Sequence, residues 1–339
     1  MAESTHRVDV VEVHPLPHPN ADKMELCNIW GFTCCIGKGQ FKDGDLAAYI
    51  QPDSMVKTTR PEFAFLAKEG RTEERIKVKK LRGVISMGLI IPAPEGSKVG
   101  DNVAEILEVT HYEPPLPIST GGDIATPPPG YHPNYDVEAM RRYLHLFEPG
   151  ESVFVTEKIH GANGRWCFSP VSEVDDSRME EEHHLLTGFH AGSRTTWKKY
   201  NPDNIWWKVL EEYEDVANFL RNNPDITMYG EVYGQVQDLK YGVLRGVRLA
   251  AFDLLRGTQW IDPLEARALA PMLPWVPTVA AGIPFYFDRL CGLADGMSLI
   301  PDSNNVREGI VVKPMQERTH QEIGRVQLKL VSNTYLERA

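Results

Sequence analysis

Lys158 stands where a strand-like stretch, Val153-Phe154-Val155-Thr156-Glu157-Lys158, runs into the small and flexible Ile159-His160-Gly161-Ala162-Asn163-Gly164. Near alternation of β-branched and aromatic residues reads as a strand, and the glycines permit a tight turn. A lone lysine at such a place is ordinarily an edge-strand residue with its head in water. To act as a nucleophile it must be neutral, its pKa lowered by burial or by a neighbouring cation. Five other segments supply companions for that chemistry. His190-Ala191-Gly192-Ser193-Arg194-Thr195 sets a planar, permanently charged arginine beside small residues, which suits a phosphate or ribose contact. Met228-Tyr229-Gly230-Glu231-Val232-Tyr233-Gly234 carries an acid inside an otherwise apolar strand, and Ala250-Ala251-Phe252-Asp253 ends in an aromatic that could lie flat on a purine. Glu308 and Lys313 mark the two ends of one strand, and Lys329 is embedded in apolar sequence. Singly, each has an ordinary structural explanation: a capped turn, an edge-strand charge, a core phenylalanine. Charges in apolar strands nevertheless need partners, and one bound ligand would supply them together. A Walker P-loop is absent, because Gly37-Lys38-Gly39 has neither the spacing nor the Ser/Thr, and no GxGxxG follows a strand. Nucleotide phosphates would therefore be held by side-chain cations and a metal.

With 339 residues, 42% hydrophobic and 24% charged, the chain can form two domains with real cores and reads as globular. Residues 1–10 are polar, without the apolar core of a signal peptide, and no apolar run reaches membrane-spanning length. Five cysteines (Cys27, Cys34, Cys35, Cys167, Cys291), odd in number and without a CxxC pair, point to reduced thiols, a cytoplasmic location and no structural zinc. The net charge of −11 is the wrong sign for phosphate neutralisation across the whole surface. Residues 68–82, however, carry seven basic against three acidic residues, so a local basic groove remains open.

The elements that must position these groups fall into two modules. Residues 6 to about 112 read as short strands at 7–13, 26–30, 32–36, 46–50, 83–91 and 103–107, the pattern of a small barrel or sandwich. A boundary follows at 114–133, whose seven prolines and Gly121-Gly122 read as a semi-extended linker. A helix-like stretch at 137–147 comes next. Strands are expected at 153–158, 165–168, 228–233, 247–253, 309–313 and 326–330. Asn201-Pro202-Asp203 opens a helix with Ile205, Val209, Tyr213, Ala217 and Leu220 on one face, and Asp262-Pro263-Leu264-Glu265 has a capping-box pattern ahead of 266–272. The acidic 172–184 reads as a solvated loop, and its adjacent His183-His184 pair diverges too much to bind metal. Without regular βαβ alternation the second module is α+β.

His18-Pro19-Asn20-Ala21-Asp22-Lys23-Met24-Glu25-Leu26-Cys27 and Leu81-Arg82-Gly83-Val84-Ile85-Ser86-Met87-Gly88-Leu89 resemble the tRNA-binding type of OB-fold. Residues 1–113 are thus expected to form an OB-type β-barrel that binds nucleic acid. Lys77, Lys79, Lys80 and Arg82 would track the phosphate backbone, with Phe41 or Tyr49 as stacking surfaces. The segments around Lys158, Arg194, Glu231, Phe252, Glu308 and Lys329, in that order, resemble the motif series of the covalent nucleotidyltransferases, polynucleotide ligases and capping enzymes. His160-Gly161-Ala162-Asn163 after the lysine is similar to the RNA ligases, and an OB module ahead of the transferase domain to the Deinococcus-type RNA ligase family. Residues 134–339 are then an α+β adenylyltransferase domain with antiparallel sheets. After Lys329 only a short tail follows, with no space for the further OB domain that DNA ligases and capping enzymes carry there.

The resemblance implies ATP as cofactor, with Mg²⁺ or Mn²⁺, and an RNA or RNA-containing nicked duplex as partner; no membrane and no obligate protein partner is implied. Lys158 would attack the α-phosphorus to give lysyl-AMP, and AMP would pass to an RNA 5′-phosphate before a 3′-hydroxyl displaces it. Glu308 would orient the metal through waters, and Glu231 would bind a ribose hydroxyl or share that task. Phe252 would stack on adenine, Glu157 meet the base edge through its backbone, and Arg194 hold ribose or the 5′-phosphate. Lys313 and Lys329 would meet the α-phosphate, while His160 and Asn163 serve the later steps. Gln327 departs from the family's paired lysines in the last motif. The alternatives are a tRNA-binding adaptor with a degenerate transferase domain, a DNA ligase and a GTP-dependent capping-type enzyme.

Overall fold

The computed structural model describes residues 7–112, 124–170 and 186–337. The chain divides into two compact units, Met1–Pro115 and Leu116–Tyr335, with the change-over inside the proline-rich stretch. The start of that stretch and the acidic loop with His183-His184 lie outside the described residues.

In the first unit the strand Asp45–Ile50 is the pivot. It pairs antiparallel with Asp9–Val13 on one side and Leu89–Pro92 on the other. Its alternating residues feed two apolar clusters, Ala48 and Ile50 into one and Ala47 and Tyr49 into the other, so both faces are buried. The hairpin Met24–Ile29 with Phe32–Gly37 covers the second cluster. Phe41 and Tyr49 are 6% and 0% exposed, and the Tyr49 hydroxyl donates to the Met87 carbonyl at 2.7 Å. Neither ring can stack on a base; both belong to the core. Lys79 and Lys80 lie in the hairpin Lys79–Leu81 with Val84–Ser86, Arg82 in its turn and Lys77 just before it, all exposed. The strand expected over 83–91 is broken at Met87-Gly88 into two. The one expected at 103–107 is a turn, in which the Leu107 N–H donates to the Val103 carbonyl.

The second unit is built on two sheets. A six-stranded antiparallel sheet runs in the order Trp197–Lys198, Phe189–Ser193, Ala162–Phe168, Ile226–Gly234, Val247–Arg256, Gln259–Trp260. A five-stranded sheet runs Glu138–Ala139, Leu328–Val331, Gly309–Pro314, Ser152–Lys158, Thr278–Pro284, with a parallel pairing between its first two strands. Helices Ile205–Glu212 and Glu214–Asn222 cover the outer face of the first sheet. Helix Phe287–Ala294 and two 3₁₀ turns, Met140–Arg142 and Leu144–Leu146, cover the second. The outward residues Val153, Val155, Ile310, Val312, Leu328 and Leu330 make that outer core. Period-two alternation then turns Lys158, Lys313 and Lys329 to the opposite face, toward the other sheet.

Local expectations differ in three places. The helix expected from Asn201 starts after Asn204, whose side chain caps the Trp206 N–H at 3.0 Å. It breaks at Tyr213, where the backbone leaves helical geometry and the hydroxyl accepts from the Leu249 N–H. The expected 137–147 helix is a short strand followed by the 3₁₀ turns, and the Asp262 capping box does not close. The Asp262 carboxylate accepts instead from the Glu317 N–H at 2.6 Å, and the helix spans Pro263–Leu269. Residues 124–133 are not a free linker. Ile124 bridges to Lys198, and the His132 and Pro133 carbonyls accept from Arg165.

Candidate active site

Strand register brings the nucleophile candidate and its acid together. Lys158, the last residue of its strand, pairs with Gly309, and Glu308 is the residue just before. A Cβ on Gly309 would meet the Leu330 carbonyl oxygen at 2.2 Å, so only glycine lets the strands close up here. The Lys158 Nζ donates to Glu308 Oε1 at 2.6 Å, with the two side chains 25% and 9% exposed. Gly161 lies as tightly against the other sheet: a Cβ would meet the Val232 carbonyl oxygen at 2.3 Å and Glu231 Cγ at 3.0 Å. Glu231 therefore sits under the loop that follows the lysine, directly across from Asn163.

The charges are mutually dependent. Burial pushes the Glu231 carboxyl up to about 8, against the pull of Lys158 and with the repulsion of Glu308. Burial would raise Glu308 as well, but Lys158 and then His160 hold it below the ordinary carboxylate range. Burial, with repulsion from Lys158, lowers Lys329. His160 faces carboxylates from both ring nitrogens, Nε2 at 2.6 Å from Asp238 and Nδ1 at 3.5 Å from Glu308. Burial draws its pKa down, yet the Glu308 hydrogen bond and charge outweigh it and the net shift is upward. The backbone N–H of His160 donates to the Tyr241 hydroxyl at 2.8 Å. Asn163 Oδ1 is buried with no hydrogen-bond partner, and Glu308 Oε2, also buried, has only the long contact with His160. Lys158, His160, Asn163, Glu231, Glu308 and Lys329 thus form one cluster.

The remaining expected residues occupy different surroundings. Arg194 is half-exposed, 3.4 Å from Asp136, and near enough to depress Lys329. The Phe252 ring packs on Tyr135 with centroids 4.3 Å apart. Glu157 is 1% exposed; its side chain accepts from the Leu299 N–H at 2.7 Å and its own N–H donates to the Pro277 carbonyl. Its backbone N–H is thus not available to a base edge. Lys313, 1% exposed, donates to both Asp253 oxygens at 2.6 Å, so a contact with the α-phosphate requires Asp253 to release it. Asp253 also takes Arg325 at 2.9 Å and the Tyr135 hydroxyl. Burial alone would raise Asp253, but Arg325 and Lys313 draw it below the usual carboxylate range. Gln327 is buried, its amide donating to the Asp136 carbonyl while Oε1 has no partner.

Asp238, Tyr241, Asp253 and Arg325 were not singled out as site residues from the sequence. Asp253 follows Phe252 directly and breaks an apolar strand, a signal as good as that of Glu231. Asp238 and Tyr241 lie in an irregular segment that carries no pattern.

A divalent cation fits the cluster. The weakly bonded Glu308 Oε2 and the Glu231 carboxyl are hard oxygen donors, and a cation beside them would favour the ionised form that burial opposes in Glu231. Among the described residues no three His, Cys, Asp or Glu side chains converge to hold a metal by themselves. Phosphate oxygens and water would complete the coordination.

This arrangement, an amine and acids between two largely antiparallel sheets, is that of a nucleotidyltransferase. The RNA ligase family profile matches residues 151–331 and an OB-fold domain profile matches residues 5–93. The chain belongs to the RNA ligase family and is an enzyme of the ligase class. The solved structure of a Naegleria gruberi RNA ligase variant with ATP and Mn superposes with a TM-score of 0.80 at 24% identity, over 98% of this chain and 99% of that one. The same ligase with PPi gives 0.79 at 25% identity, over 98% of both chains. A further variant with ATP and Mn gives 0.80 at 25% identity, again over 98% of both. No curated protein sequence matches the chain. No helix among the described residues is long and apolar enough to cross a membrane.

Proposed function

We propose that this ligase joins RNA 3′-hydroxyl and 5′-phosphate ends, with nicked duplexes as substrate, through a lysyl-AMP intermediate on Lys158. The carrying observation is the placement of the Lys158 amine 2.6 Å from Glu308, among Glu231, His160 and Lys329. The Lys158 nitrogen attacks the α-phosphorus of ATP, a P–N bond forms and pyrophosphate leaves. An oxygen of the RNA 5′-phosphate then displaces the lysine, and the 3′-hydroxyl displaces AMP. Each is an in-line phosphoryl transfer, in which positioning and charge neutralisation supply most of the rate.

Lys158 must give up its proton first, and Glu308 is the group in contact to receive it or to release the amine when other cations take its charge. Mg²⁺ or Mn²⁺, held by Glu308 and Glu231, would neutralise the α-phosphate and favour the uncharged amine. Lys329, on the same sheet face as Lys158, would meet the phosphate, Phe252 would stack on adenine, and Arg194 would hold ribose or the RNA 5′-phosphate. His160 and Asn163, beside the acids, serve the two RNA steps. We further assign residues 1–113 as the nucleic-acid-binding OB domain, with Lys77, Lys79, Lys80 and Arg82 on the phosphate backbone, and 134–339 as the adenylyltransferase domain.

The test is incubation with α-labelled ATP and metal: wild type acquires label and Lys158→Ala does not. Labelling by GTP but not ATP would replace the reading with a capping one. Sealing of nicks whose 3′-hydroxyl strand is all DNA would make it a DNA ligase.

A further inference from the structure

A cavity of about 270 Å³ opens beside the six-stranded sheet, roofed by the proline-rich segment and floored by Arg165, Thr195, Thr196 and Trp197. None of its lining belongs to the Lys158 cluster. Arg165 is 4% exposed and lies across the sheet from Tyr229, on the same face as Asn163 two residues earlier. Its Nη1 donates to the carbonyls of His132 (2.6 Å) and Pro133 (3.3 Å), and its guanidinium lies 4.6 Å from the Trp197 ring. Its Nε is buried with no hydrogen-bond partner. The Tyr229 hydroxyl is its neutral neighbour, and among the described residues no carboxylate pairs with this buried cation.

Among the described residues the lining of the cavity carries no carboxylate. His132 Nε2 lies 3.0 Å from the Pro129 carbonyl, which can only accept, so that nitrogen carries the proton and Nδ1 accepts from the Thr227 hydroxyl at 2.8 Å. Burial lowers the pKa of both His132 and His190, which keeps the rings uncharged near neutrality. The roof includes Pro127 and Pro128, which have no N–H, and the floor supplies the one charged donor of the lining, Arg165. Unpaired buried charge is costly, and an arginine's donor fork matches the oxygens of a phosphate, as it does those of a carboxylate. Thr195 follows Arg194 directly, which ties the cavity to the edge of the nucleotide cluster.

We propose that this cavity is an oxyanion site that takes a phosphate group, borne either by an RNA strand or by a free polyphosphate such as pyrophosphate. Its RNA arm rests on the ligase reading; the anion chemistry does not. The full-length protein, without ATP, would be titrated with a fluorescent 5′-phosphorylated oligoribonucleotide and, separately, with pyrophosphate. Arg165→Gln removes the charge, and Ala125→Phe fills the cavity while leaving Arg165 in place. Each is expected to weaken binding of one or both probes about tenfold and, for RNA, to reduce the salt slope by about one. Loss for RNA alone assigns the site to the strand, and loss that includes pyrophosphate assigns it to the free anion. Unchanged affinity for both probes in folded Ala125→Phe overturns the proposal, even where Arg165→Gln fails to fold. Failure of the ligase reading would show separately, as wild-type protein taking no label from ATP.

Discussion

The Lys313 ammonium bonds both oxygens of Asp253 at 2.6 Å and so fastens the five-stranded sheet to the six-stranded one behind the nucleotide cluster. Arg325 and Tyr135 close on the same carboxylate. Lys313 is first a tie between sheets, and whatever it does to a phosphate comes after that.

Asp253→Asn should therefore be severely destabilising. It strands two buried cations, a loss of about 3–5 kcal/mol. Thermal melts would show a fall of roughly ten degrees. Lys313→Met, which removes one cation and leaves Asp253 with Arg325, should cost less. Equal melting of wild type and Asp253→Asn would contradict this account.

Glu308→Ala tests the acid that touches the nucleophile. Without it the Lys158 ammonium loses its 2.6 Å contact, and on the proposed mechanism a metal would lose a ligand. Self-adenylylation should drop on the order of a hundredfold, while the fold persists. Single-turnover labelling measures this directly.

Glu231 gives the protein a pH signature. The folded state keeps its proton until about pH 8, whereas the ordinary carboxyl value is 4.5. Between these values folding takes up a proton, so this group's contribution to stability falls as pH rises. Glu231→Gln, which mimics the protonated acid, should melt with wild type near pH 5. By pH 8.5 it should be more stable by roughly 4–5 kcal/mol, on the order of ten degrees in melting temperature. The gap should narrow when Mg²⁺ and ATP are added, because cations favour the ionised carboxylate.

The exposed basic hairpin has a solution readout of its own. Replacing Lys79 and Lys80 by alanine should leave stability within about 0.5 kcal/mol, as for other surface positions. RNA affinity should weaken and its salt slope fall by about one to two. An unchanged slope would remove these lysines from the phosphate path.

The sequence carried the parts of the site that repeat locally. Alternation placed Lys158, Glu231 and Lys329 on strands, and burial of charge among apolar neighbours marked them as needing partners. It did not carry what depends on distant register. That Lys313 meets Asp253, or that His160 meets Asp238, follows from how two sheets stack, and no local spacing encodes it. Periods of three and 3.6 are also hard to separate over one or two turns. Met140, Tyr143 and Leu146 recur every third residue, which suits the observed 3₁₀ turns as well as an expected helix. Phe41 and Tyr49 show the same limit: an aromatic pattern does not say which side of a barrel wall a ring is on.

The strand that ends in Lys158 is flanked by Gly309–Pro314 and Thr278–Pro284, both made long after it on the ribosome. Until those segments emerge, the amine has neither its acid nor a wall. On the proposed lysyl-AMP chemistry, a chain cut short before Gly309 should take no label from ATP even though Lys158 is present.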